Sequence, residues 1–261
     1  MTLAYGKVAL ITGAGSGIGR AAALHLAAEG FAVGLLGRTE SELKVVENEI
    51  AAKSGSSKTL VADIADEAAM HDAIATLVQA FGRLDVVVAN AGINGVWAPI
   101  DELKPSEWDD TIRINLRGTY LTVHASVPYL KAAGGGSIVI VSSINGTRTF
   151  TSPGATAYSV TKAGQLAMAQ QLALELGRHR IRVNAVCPGQ IETAIDDNTD
   201  IRGREKTEVP VSFPAGDIPV TGGEAGSSDD VAALIGFLAS DLSRHITGTP
   251  VWIDGGQGLL R

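Results

Sequence analysis

Cys187 is the one cysteine in a chain of 261 residues, which excludes an intramolecular disulfide and a thiolate-held zinc site. Flanked by Val186 and Pro188, it reads as a small buried residue, and no metal site is expected. Runs of Lys and Arg are missing too. With a net charge of −7 the chain presents no basic face for phosphate contacts, so nucleic-acid binding is excluded. No stretch approaches the roughly 20 apolar residues that a membrane-crossing helix needs. From Met1 through Tyr5-Gly6-Lys7 there is neither the charged n-region nor the long h-region of a secretory leader, and a cytoplasmic location is expected.

What is present points to a globular protein. Apolar residues make up 45% and charged residues 19%, and the length allows one large domain or two small ones. Of the 31 glycines many cluster where strands give way to helices, as turn and ligand-approach positions do.

The run Lys7–Ile11 (KVALI), the turn Thr12–Gly19 (TGAGSGIG) and the Ala/Leu-rich stretch Arg20–Ala28 read as strand, glycine-rich turn and helix. Such a turn lets backbone approach a pyrophosphate, and the helix N-terminus offers it unpaired N–H groups. Further strands are expected at 31–36, 59–62, 84–89, 137–141, 181–186 and 250–253. Helices are expected at 40–53, 67–81, 105–132, 158–178 and 229–238. This alternation implies parallel βαβ units, and the polar residues gather at the carboxyl ends of strands, where an open α/β sheet binds ligands. From about 192 to 226 the pattern dissolves into acidic, Pro- and Gly-rich sequence, which reads as a lid.

On a helix, Tyr158 and Lys162 lie one turn apart on one face. A cation at about 4 Å offers a phenolate up to roughly 4 kcal/mol at an effective dielectric near 20, so Lys162 is expected to lower the Tyr158 pKa toward neutrality and make it a proton donor and acceptor.

TGAGSGIG at 12–19, ANAG at 89–92, Asn115, Ser142-Ser143, YSVTK at 158–162, PGQIET at 188–193 and the ending ITGTPVWIDGG together resemble the short-chain dehydrogenase/reductase family over nearly the whole chain. The resemblance implies one domain over 1–261: a doubly wound, Rossmann-type three-layer α/β sandwich with a mainly parallel seven-stranded sheet. It implies Tyr158 as general acid/base, Lys162 holding the nicotinamide ribose, Asn115 keeping a water in the proton path, and Ser143 meeting the substrate carbonyl, with Ser142 left open. The cofactor would be held by Gly13, Ser16, Gly17, Ile18 and Gly19 of the turn, by Asp63 and Ile64 at the adenine, and by Asn90 and Gly92. Pro188, Gly189, Ile191 and Thr193 would hold the nicotinamide side. A homotetramer is also implied.

At the end of the second strand, where an NAD-selecting enzyme of this kind places an acid, stand Gly37 and Arg38, so NADP(H) is expected in preference to NAD(H). Trp97, Asn145, Phe150 and Gln190, with Ile93, Ile144 and Ile195, form an expected substrate wall suited to a small ketone or secondary alcohol. Two alternatives stand beside this: a 3-oxoacyl-(acyl-carrier protein) reductase, and a non-enzymatic dinucleotide sensor or scaffold.

Overall fold

The first strand, β1 (Val8–Thr12), turns alternate side chains into two different cores. Val8 and Leu10 pack with Met70, Ile74, Leu77 and Val123, whereas Ala9 and Ile11 pack with Leu26, Val46 and Ile235. A strand covered on both faces has to be apolar throughout, which explains VALIT and the VVVA of β4 (Val86–Ala89). The computed structural model describes residues 6–150, 152–193, 199–214 and 216–260.

Seven strands form the sheet in the order β3-β2-β1-β4-β6-β7-β9, with β2 at Ala32–Gly37, β3 at Ser56–Val61, β6 at Gly136–Val141, β7 at Ile181–Pro188 and β9 at Pro250–Ile253. Every neighbouring pair is parallel. Helices α1 (Gly17–Ala28), α2 (Glu40–Ala52) and α8 (Ser228–Ala239) cover one face. The other is covered by α3 (Glu67–Phe81), α5 (Gly118–Ala132) and α6 (Thr156–Leu176). The expected doubly wound three-layer α/β sandwich is the fold observed.

The strand order reverses between β1 and β4, and the chain is laced together there. The backbone N–H groups of Asn90 and Ala91 both donate to Thr12 Oγ1, at 3.0 and 3.1 Å. Gly19, in the first turn of α1, lies so close to this lacing that a Cβ would fall 2.0 Å from the Gly13 carbonyl oxygen. Only a glycine lets helix and strand meet here.

Two features differ from the sequence expectation. The expected single helix over 105–132 is α4 (Pro105–Thr111), a π-helical turn (Ile112–Arg117) and α5, with Asn115 inside the widened turn. The expected lid carries structure: β8 (Thr199–Ile201) pairs in parallel with β5 (Gly95–Trp97), and α7 spans Arg204–Thr207. Its two ends are tied together, since Glu192 N–H donates to Gly226 O and Gly226 N–H to Gln190 O, each at 3.0 Å. Residues 194–198 and 215 of that segment, and with them Ile195, lie outside the described residues. Among the described residues no helix is long and apolar enough to cross a membrane, and no group of His, Cys, Asp and Glu could hold a metal.

Candidate active site

At the carboxyl edge of the sheet two cavities of about 410 and 460 Å³ share Ile18, Asn90, Gly92, Ile93 and Thr193 in their walls, and so form one cleft. The glycine-rich turn and the end of β2 bound one half, which contains Gly13, Ser16, Gly17, Arg38, Asp63 and Ile64. Ser16 precedes α1 without a side-chain capping bond, and no acid sits in the first turn of that helix, so the helix N-terminus presents its N–H groups to an anion. This cradle fits a pyrophosphate. Glu42 is also in this half, against the turn: a Cβ on Gly15 would stand 2.8 Å from its Oε2.

The other half is closed by β6, α6 and the end of β7, and here Ser143, Ile144, Asn145, Tyr158 and Lys162 meet Trp97, Pro188, Gly189, Gln190 and Ile191. The two serines part company. Ser142 Oγ donates to the Lys162 carbonyl at 2.8 Å, fixing α6 on the sheet, whereas Ser143 shares a hydrogen bond with the Tyr158 phenol. Gly146 packs the following loop onto α6; its φ is +77° and a Cβ would strike the Ser159 carbonyl.

Tyr158 is 8% exposed and Lys162 5%. Lys162 Nζ lies 5.4 Å from the centroid of the phenol ring and donates to Val141 O at 3.0 Å. Burial pushes the phenol above its ordinary value, and the bond with Ser143 opposes it. Burial pulls the lysine down to about 8. In the ligand-free protein the expected lowering of the phenol by Lys162 is not met: burial dominates, and Ser143 is the group that opposes it.

Three other expected site residues lie off the cleft wall. Gly19 is a packing glycine beneath the turn. Asn115 is fully buried; its Oδ1 accepts from Ile93 N–H and its Nδ2 donates to Ile93 O, both at 2.8 Å. Its carbonyl already accepts from Gln165 Nε2 and Thr119 Oγ1, at 2.9 and 2.7 Å, which fills both lone pairs. Through these contacts Asn115 clamps the loop between β4 and β5 that carries Ile93. Phe150 is 76% exposed and lines a separate surface groove, because the chain folds back through an Asn145–Thr149 bridge and emerges outward.

Several wall residues escaped the sequence reading: Glu42, Asn94, Ser152, Phe213, Asp217, Gln257 and Leu260. Glu42 sits in the first turn of α2, and the others come from loops and the C-terminal turn, where no spacing marks them.

The short chain dehydrogenase family model matches residues 7–202. This chain belongs to the short-chain dehydrogenase/reductase family. It is 38% identical over 253 residues to the 3-oxoacyl-[acyl-carrier-protein] reductase of Thermotoga maritima, covering 96% of this chain and 97% of that one. It is 39% identical to an L-rhamnose 1-dehydrogenase (NAD(P)(+)) of Azotobacter vinelandii, covering 96% of each. A solved structure described as a 3-ketoacyl-ACP reductase from Sinorhizobium meliloti 1021 superposes with a TM-score of 0.94 at 64% identity, covering 97% of this chain and all of that one. Family membership makes this chain an oxidoreductase that works on CH–OH and C=O groups with a nicotinamide dinucleotide.

Proposed function

We propose that the protein moves hydride between NADP(H), with NAD(H) as the poorer substitute, and a small-molecule ketone or secondary alcohol. The observation that carries this reading is the Tyr158 phenol, bonded to Ser143 beside the Lys162 ammonium on the cleft wall. When bound, the dinucleotide supplies or accepts the hydride. The turn and the open end of α1 hold its pyrophosphate, Arg38 pairs with a ribose phosphate, and Pro188, Gly189, Ile191 and Thr193 hold the nicotinamide side. Tyr158 gives its proton to the carbonyl oxygen, or takes it from the alcohol. Ser143 donates to the same oxygen, where charge builds in the transition state. Lys162, titrating near 8, carries its charge at neutral pH and stabilises the phenolate left behind. Tyr158→Phe should lower kcat by about 10²–10⁴-fold, and full activity in that variant would overturn the assignment.

A second reading is reduction of 3-oxoacyl groups on a carrier protein, supported by the names of the Thermotoga and Sinorhizobium relatives. The acidic lid weighs against it, since an acidic carrier would be repelled. Preferential turnover of carrier-linked over free ketones would favour this second reading. The working form in our proposal is a cytoplasmic homotetramer, supported by apolar side chains left exposed on α5 and α6: Tyr120, Val160 and Leu174.

A further inference from the structure

The substrate half of the cleft holds polar groups whose hydrogen-bonding capacity is only partly used. Asn145 Nδ2 donates to Ser152 Oγ at 2.6 Å, while its Oδ1 is buried without a partner. Turning the amide over exchanges the two atoms and still leaves one of them orphaned. Ser152 accepts that bond, so its own hydroxyl proton is left to donate. From the lid, Asp217 enters the same cavity. Gln257 holds it there: Gln257 Oε1 accepts from Gln190 N–H at 2.9 Å, and its Nε2 donates to Asp217 Oδ2 at 3.2 Å. No other partner and no cation engages the Asp217 carboxylate among the described residues, although a carboxylate can accept about four bonds.

Two groups in the cavity that holds Tyr158 and Ser143 have capacity to spare: the buried Asn145 amide, with one unpaired atom in either orientation, and the half-buried Asp217 carboxylate, which takes donors. Methylenes would satisfy neither, and an anionic substrate would face Asp217. Hydroxyl groups without charge satisfy them. We propose that the substrate is a neutral polyhydroxy compound, a free sugar or alditol, whose reacting carbon lies at Tyr158 and Ser143 and whose neighbouring hydroxyls hydrogen-bond with Asn145 and donate to Asp217. The inference rests on the redox reading of Tyr158. In oxidation, the C–H bond of a secondary or anomeric carbinol breaks, its electron pair and hydrogen leave as hydride to the oxidised nicotinamide, and the hydroxyl proton passes to the Tyr158 phenolate. The C–O bond becomes a carbonyl, and reduction is the reverse.

The test is initial-rate kinetics with NADP⁺ and NAD⁺ on free hexoses, pentoses and alditols, with cyclohexanol as the monohydroxy comparator. Reduction of a 3-oxobutanoyl thioester is measured alongside with NADPH and NADH. At least one sugar or alditol should exceed cyclohexanol in kcat/KM by roughly a hundredfold or more, because a site built around hydroxyls rejects analogues without them. Asp217→Asn, which keeps the side-chain shape, and Asn145→Ala should each cut that preference at least about tenfold. Circular dichroism checks that each variant is folded. Preference for cyclohexanol or the thioester, or equal losses on all substrates in a folded Asp217→Asn protein, overturns the inference while leaving the redox reading intact. If no substrate is turned over with either cofactor, the redox reading fails and this inference with it.

Discussion

Lys162 titrates near pH 8 in the folded chain, against 10.5 for an ordinary lysine, because burial disfavours its ammonium. Between those values the unfolded chain binds more protons, so stability should rise with pH from 8. Tyr158 acts in the opposite sense: its folded value lies above the ordinary 10, and stability should fall as pH passes 10. Melting temperatures of the ligand-free protein are expected to climb from pH 8 to 10 and then turn down. Lys162→Met should abolish the climb and be more stable at pH 7, by on the order of 1–3 kcal/mol. A climb that persists in this variant would assign the titration to another group. Arg38 and Glu42, of opposite charge, both line the adenosine half of the cleft. A guanidinium–phosphate contact is worth about 1.5–3 kcal/mol, so Arg38→Ala should reduce the NADPH/NADH ratio of kcat/KM about ten- to a hundredfold. Glu42→Gln should raise it by removing a carboxylate that repels the phosphate. A native preference for NADH, or no change in Arg38→Ala, would show that Arg38 does not read the phosphate.

The lid is anchored mainly by polar contacts. Arg202 pairs with Glu107, Lys206 with Glu102, and Val220 N–H donates to Gly255 O, while Val209 and Val220 remain exposed. The Lys206–Glu102 pair is exposed and contributes little, so the segment beyond Arg202 should open and be protected once cofactor and substrate fill the cleft beneath it. Limited proteolysis should show slower cleavage within 199–214 at saturating ligand, and equal rates would refute the closure. How far such elements were legible depended on whether their cause was local. Helix α3 is legible from its apolar spacing over 67–81, and the structure closes it at those ends with Asp66, which accepts from Ala69 N–H, and with Gly82 at φ +81°. Tyr158 and Lys162 were found because four residues make one helical turn. The π-helical turn was missed because its sequence is helical in period and its widening serves a distant contact, Asn115 to Ile93. Pairing of β5 with β8 joins residues about a hundred apart, and no periodicity announces it. Phe150 was misplaced for a similar reason, since a loop's direction is set by a turn and not by composition.

At the scale of the molecule, the edge strand β9 leaves Trp252 37% exposed, with the Arg148 guanidinium 4.8 Å over its ring. An uncovered sheet edge and the apolar side chains on α5 and α6 are both relieved by association. Light scattering should give four times the 26.9 kDa chain mass at micromolar concentration, and a stable monomer would refute the tetramer. The fastened neck between Gln190 and Gly226 bears on how such a molecule can change through descent. Because the ends of the intervening segment are held together by backbone bonds, the sheet does not register how much chain lies between them. Doubling a loop costs only about 0.6 kcal/mol in closure entropy. The segment that brings Phe213 and Asp217 to the cleft wall can thus be lengthened, shortened or exchanged as a cassette, while the glycine-rich turn and the Tyr158–Lys162 pair stay as they are.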